Sequence, residues 1–165
     1  MASDLEKLLS SLPKSPNFMV LHFGEDDRLI EELKEFCKDA LEYRVLTFTK
    51  EAKERLVRFE NSYTKVQQIN PKRPKYHHPS KSYDYLFVTT LPNDLDDFLK
   101  KVYSALKNGA PVFIFLDKNL KEMAFMLESK LIERNYVAIN LIDIDDFLVV
   151  SSKKMHGWSG SWVSF

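Results

Sequence analysis

Apolar residues in this chain follow two rhythms that take turns. Nearly unbroken apolar runs occupy 17–23 (NFMVLHF), 43–48 (YRVLTF), 83–90 (YDYLFVTT) and 110–116 (APVFIFL). Runs of that length without strict alternation predict strands covered on both faces. Between them, apolar residues recur at three- and four-residue spacing, as in amphipathic helices. Leu5, Leu8, Leu9 and Leu12 line a first short helix that opens on a capping box, Ser3 and Glu6, and ends at Pro13 and Pro16. Leu29, Ile30, Leu33, Phe36, Cys37, Ala40 and Leu41 stripe a helix over about 26–41, and Thr49 caps one through about Asn61 with Ala52, Leu56, Phe59 and Tyr63 inward. A fourth helix is capped by Asn93, turns Leu95, Phe98, Leu99, Val102 and Leu106 inward and stops at Gly109. The last, in 118–135, carries Leu120, Met123, Leu127 and Leu131.

TKVQQI (64–69) reads as a further short strand. YVAINLI (136–142) and FLVVSS (147–152), joined by DIDD, read as an antiparallel hairpin. Strands alternating with helices require right-handed crossovers. The predicted fold is therefore α/β: a mainly parallel doubly wound sheet with helices on both faces and a C-terminal antiparallel hairpin. With 165 residues and no compositional break or repeat, the expectation is one domain over 1–165.

Lys plus Arg and Asp plus Glu both number 24, so global charge names no nucleic-acid or membrane partner. Local charge does. The segment 61–82 has no acidic residue and carries Lys65, Lys72, Arg73, Lys75 and Lys81 among Tyr76, His77 and His78, with three prolines that predict an extended loop. Such a strip can meet phosphates while Tyr76 stacks on a base; the plainer reading is a solvated loop that balances acid elsewhere. Adjacent histidines on extended chain point in opposite directions and no third ligand is specified, so no metal site is expected. The tail 155–165 holds Trp158, Trp162 and Phe165 among small polar residues, suited to docking on a partner, sealing a homodimer or folding back on the sheet. One cysteine, Cys37, on an inward helix stripe reads as a buried thiol and fits a cytoplasmic protein. No apolar run reaches the roughly 20 residues of a membrane span, and no signal peptide is expected at the N-terminus.

The stretch YDYLFVTTLPNDLDDFLKKVYSALKNGAPVFIF resembles the second half of a class I S-adenosylmethionine-dependent methyltransferase. Leu106, Lys107 and Gly109 match that family's turn before the fifth strand, with Ala110 in place of a second glycine, and residues 135–154 are similar to its closing hairpin. The resemblance covers roughly 17–154 and implies the Rossmann-like fold with the cofactor at the first turn. There the family places an acid and a glycine-rich turn at the end of the first strand. In VLHFGEDDR the acid becomes His22, Gly24 alone survives, and Asp26 and Arg28 stand at the next two glycine positions. The ribose-binding acid after the second strand corresponds to Phe48 or Thr49.

Glycine matters at such a turn because ligand must approach the backbone closely. Asp26 and Arg28 place side chains where the family leaves room, and Glu25, Asp26 and Asp27 favour the helix dipole while repelling an anionic group from the same amides. His22 reads either as a ligand-facing residue at the carboxyl edge or as a core histidine with a backbone partner. The expectation is a methyltransferase-like domain without catalysis or cofactor, acting on a macromolecular partner through Lys72, Arg73, Lys75, Tyr76, Trp158 and Trp162. The alternative is a divergent S-adenosylmethionine-dependent methyltransferase, acting on nucleic acid, with His22, Gly24 and Asn93 in its pocket. A domain that binds some other small ligand is the third reading.

Overall fold

The computed structural model describes residues 3–69 and 81–155. In chain order the elements are α1 (Asp4–Ser11), β1 (Met19–Phe23), α2 (Asp27–Phe36), β2 (Glu42–Thr47), α3 (Lys50–Leu56) followed by a tight helical turn (Val57–Phe59), β3 (Thr64–Gln68), β4 (Tyr85–Val88), α4 (Leu95–Ala105), β5 (Pro111–Asp117), α5 (Lys121–Glu133), β6 (Tyr136–Ile144) and β7 (Phe147–Lys154). All strands join one sheet in the order β3-β2-β1-β4-β5-β7-β6. The first five in sequence pair in parallel, and β7 runs antiparallel to both β5 and β6. Strand order reverses between β1 and β4, so their carboxyl ends open the crevice where ligands of doubly wound folds bind.

Two apolar layers sandwich the sheet. Leu21, Phe23, Leu86, Val88, Val112, Ile114 and Val150 pack under α4 and α5. Val20, Tyr43, Val45, Tyr85, Phe87, Phe113 and Val149 pack under α1, α2 and α3. The period of two along each strand thus sends alternate residues to opposite layers, as a sheet covered on both faces requires. Caps fix the helix starts: Ser3 accepts from the Glu6 amide at 3.1 Å, Asp26 from Leu29 at 3.1 Å and Thr49 from Ala52 at 3.1 Å.

Several boundaries differ from the sequence reading. The cap of α4 is Asp94, which accepts from the Asp97 amide at 3.0 Å, and not Asn93. A carboxylate serves better than an amide at the positive end of the helix dipole. α2 ends at Phe36, because the chain turns back to start β2 and the Leu41 amide donates to Phe18, leaving the Leu41 side chain exposed. α3 is complete by Leu56, and Leu120 precedes α5 on the surface. Gly109 lies in the turn between α4 and β5, where φ of +78° suits glycine, while α4 itself stops at Ala105. Lys72, Arg73, Lys75, Tyr76, Trp158 and Trp162 lie outside the described residues. Among the described residues no helix is long and apolar enough to cross a membrane.

Tyr136 ties the closing hairpin to α4: its buried hydroxyl donates to the Leu99 carbonyl at 2.7 Å, and its ring meets Tyr103 edge-on. Tyr136→Phe is expected to lower stability by about 1 kcal/mol in urea denaturation without changing the slope of the transition.

Candidate functional site

The carboxyl ends of β1 and β4 lie side by side, with His22 level with Phe87 and Phe23 level with Val88. Two residues past Phe87, Thr89 points to the same face of the sheet as His22. Its hydroxyl lies 2.7 Å from His22 Nε2, while Nδ1 lies 2.7 Å from the Tyr43 hydroxyl on β2. His22 is fully buried, and burial drives its pKa down to about 3. The ring is therefore neutral near pH 7, donating through one nitrogen and accepting through the other. Burial likewise pushes the Tyr43 hydroxyl well above its ordinary pKa. His22 is a core residue bonded to two side-chain hydroxyls, not to the backbone partner expected, and neither ring nitrogen is left to take a proton from a ligand.

The Thr89–His22 pair stands directly against Gly24. A Cβ on Gly24 would sit 1.8 Å from Thr89 Oγ1 and 2.6 Å from His22 Nε2, so only glycine fits. Protein groups also take up the turn's amides. Gly24 donates to the Leu46 carbonyl at 3.1 Å, and the Glu25 amide donates to Thr90 Oγ1 at 3.1 Å. Each acid of the turn has its own structural partner. Asp26 caps α2, Glu25 accepts from the Thr49 hydroxyl at 2.9 Å, and Asp27 binds Arg55 at 2.8 Å and Arg58 at 2.5 Å. Arg55 also donates to the Glu25 carbonyl. Burial pushes the Asp27 carboxyl up, but the hydrogen bonds and charges of the two arginines outweigh it and hold it below its ordinary value.

Arg28 departs from the sequence reading. It points away from the turn toward Asp145 and Asp146 between β6 and β7, at 3.9 and 4.0 Å. The room beside Gly24 is taken by Thr89 and His22, not by Arg28. Phe48 stacks on Phe23 with ring centroids 6.3 Å apart, and the Thr49 hydroxyl is engaged by Glu25.

Outside this closed turn lies a cleft of about 340 Å³. Phe48, Ile69, Leu91 and Pro92 supply its apolar wall, and Glu25, Asp94 and Asp97 its acidic rim. Of the three residues assigned to a pocket from sequence, Asn93 lines this cleft; His22 and Gly24 do not reach it. A larger hollow of about 620 Å³ sits at the opposite end of the sheet, by Pro13, Lys107 and Ser151. Cys37 is buried, and burial raises its thiol pKa despite the nearby Lys14. Among the described residues no three His, Cys, Asp or Glu side chains come together as a group able to hold a metal ion.

No family model matches this sequence, and no curated protein matches it. Solved structures do. A S-adenosylmethionine-dependent methyltransferase from Aquifex aeolicus superposes with a TM-score of 0.75 at 14% identity, covering 92% of this chain and 89% of that one. A chain from the complex between the Haloferax volcanii Trm112 methyltransferase activator and a methyltransferase gives 0.74 at 10% identity, covering 93% and 89%. The tRNA (m1A58) methyltransferase TrmI from Aquifex aeolicus gives 0.67 at 20% identity, covering 90% of this chain and 66% of that one. The chain thus has the class I methyltransferase-like fold, as its strand order and closing hairpin imply.

Two measurements test the closed turn. Gly24→Ala is expected to cost about 2 kcal/mol by overpacking. In a Thr89→Ala background, where the nearest clashing atom is gone, the cost of Gly24→Ala should shrink measurably; strict additivity of the two would mean they do not touch. The second concerns pH. The folded-state pKa of His22 lies below its unfolded value of 6.5, so its contribution to stability is full above pH 6.5 and is lost as pH falls toward 3. From pH 7 to 5, above the range where carboxylates titrate, stability should drop by about 2 kcal/mol. His22→Gln, which keeps a donor and an acceptor, should flatten that dependence in urea titrations.

Proposed function

We propose that this chain is a methyltransferase-fold domain that works by binding a macromolecular partner and not by transferring a methyl group. One observation carries the reading: the turn that holds S-adenosylmethionine in the family is closed by the Thr89–His22 pair against Gly24. The turn's amides and the hydroxyl after β2 are spent on protein partners as well. The residues at the first turn therefore do not fit the cofactor in the pose that the family resemblance implies. Partner binding falls to the basic segment and the aromatic tail, through Lys72, Arg73, Lys75 and Tyr76 and through Trp158 and Trp162. A structural neighbour in complex with a methyltransferase activator and another that is a tRNA methyltransferase support a protein or nucleic-acid partner for this fold.

A second reading retains catalysis, because the cleft beyond the turn offers about 340 Å³ with apolar Phe48, Ile69 and Leu91, near the lower size range of small-ligand pockets. On that reading the chain is a divergent S-adenosylmethionine-dependent methyltransferase, with Asn93 in the pocket and His22 and Gly24 supporting its wall.

Isothermal titration with S-adenosylmethionine separates the two. The binding-domain reading expects no saturable heat at micromolar ligand, and a micromolar site lost on Phe48→Ala would overturn it. The basic segment is tested separately with single-stranded RNA. Contacts through five cations predict a slope of about −3.5 in log K against log salt, falling by about two when Lys72, Arg73 and Lys75 become alanine. Affinity indifferent to both changes would leave a protein as the partner.

A further inference from the structure

α5 is built differently from the other long helices. Ala124, Leu127 and Leu131 bury one side of it against the sheet, yet Phe125, Met126 and Ile132 are exposed on the rest, Phe125 by 61% and Ile132 by 60%. Lys121, Glu122, Ser129 and Glu133 share that exposed side, but large apolar side chains grouped on a helix's solvent face mark a contact surface as singly scattered ones do not. Beside it, β6 is an edge strand, and among the described residues no strand pairs with its outer side. β6 contributes exposed Leu141, which lies level with Val150, whose side chain belongs to the layer under α5, so Leu141 shares that face; Val137, level with Lys153, faces the other way.

We infer that a second copy of this chain covers the outer side of α5 and the edge of β6, about a two-fold axis that sets the two α5 helices antiparallel. Three observations favour a second copy over another occupant. The first is area: the exposed parts of Phe125, Met126, Ile132 and Leu141 amount to on the order of 400 Å², within the size range where apolar patches often mark interaction sites. A standard interface takes about 800 Å² from each partner, somewhat more than half of it apolar, so this patch supplies the apolar part of one such face.

The second is the edge. β6 has a bulge between Val137 and Asn140, with Ala138 at φ +55°, but is regular from Asn140 to Ile144 and contains no proline or lysine. The bulge blunts the start of the edge, so the regular stretch Asn140–Ile144 is the template for another strand, and two antiparallel copies of it meet symmetrically. The third is charge. Lys118 and Lys121 stand at the amino end of α5, with Glu122 between them and the next turn, and Glu128 and Glu133 lie toward its carboxyl end. The basic residues of that carboxyl end, Lys130 and Arg134, turn to Asp96 on α4 at 2.8 and 3.8 Å. Antiparallel apposition brings the basic end of one helix toward the acidic end of the other.

Sedimentation velocity on the full chain tests this. The wild type is expected to form a dimer at micromolar concentration, and Phe125→Glu with Ile132→Glu should give a monomer with an unchanged circular dichroism spectrum. Lys121→Glu should weaken the dimer at least several-fold and Glu128→Lys added to it should restore association, a reciprocal rescue that a packing role alone does not produce. Truncation after Lys154 should leave the dimer in place. A wild type that stays monomeric to about 100 μM overturns the inference, as does a dimer that persists in the double-glutamate variant. A dimer abolished by truncation alone would assign the interface to the aromatic tail and overturn it too.

Discussion

A single hydrogen bond decides what this fold can offer at its most characteristic position. The Thr89–His22 bond spans the junction of β1 and β4, where strand order reverses and the sheet opens. Parallel pairing makes the bond possible, because it holds the ends of two strands from distant parts of the chain level with each other. Burial then makes it obligatory. The imidazole is fully buried and cannot reach water, whereas Thr89 is half-buried, and a buried ring nitrogen without a partner costs about 1–3 kcal/mol. Tyr43 completes the row from β2, so three adjacent strands are stitched together on one face of the sheet. Gly24 follows from this: once the Thr89 side chain occupies that space, no Cβ is tolerated there.

The acidic turn has a second logic, which links α2 to α3. Glu25 reaches the cap residue of α3, Asp27 reaches two arginines from α3 and the tight turn after it, and Arg55 returns to the Glu25 carbonyl. Helix-dipole complementarity accounts for Asp26 as the cap and for acid in the first turn. It does not account for Arg55 and Arg58, whose charges make three acids in a row tolerable. Charge density that would repel an anionic ligand is here largely neutralised from within the fold.

The architecture was legible in the sequence because its signals are local. Apolar runs such as VLHF and VFIFL, stripes such as Phe98, Leu99 and Val102, and the hairpin around DIDD each fit within one element, and their order fixes the topology. Helix ends were read less well where two neighbours competed for one role: Asn93 and Asp94 are both good caps, and only the φ and ψ at Asp94 with its bond to the Asp97 amide distinguish them. Leu41 belongs to the periodic stripe of α2 but leaves it because the chain must reverse to begin β2.

The closed turn was legible only in part. The missing glycines at 26 and 28 showed that the turn departs from the family pattern, but they pointed to the wrong occupants. Asp26 folds back on its own helix and Arg28 leans toward the hairpin turn, while Thr89 came from 65 residues farther along the chain than Gly24. A threonine at a strand end carries no spacing signal. The register of β1 against β4 does carry one, because pairing His22 with Phe87 places residue 89 one pleat above the histidine on the same face. The consequence is a displacement of the open space. With the inner position filled by protein, what remains open lies one shell farther out, between Phe48, Leu91 and the acids at 25, 94 and 97. That space has an apolar wall and an anionic rim, a different chemistry from the bare amides a glycine turn presents.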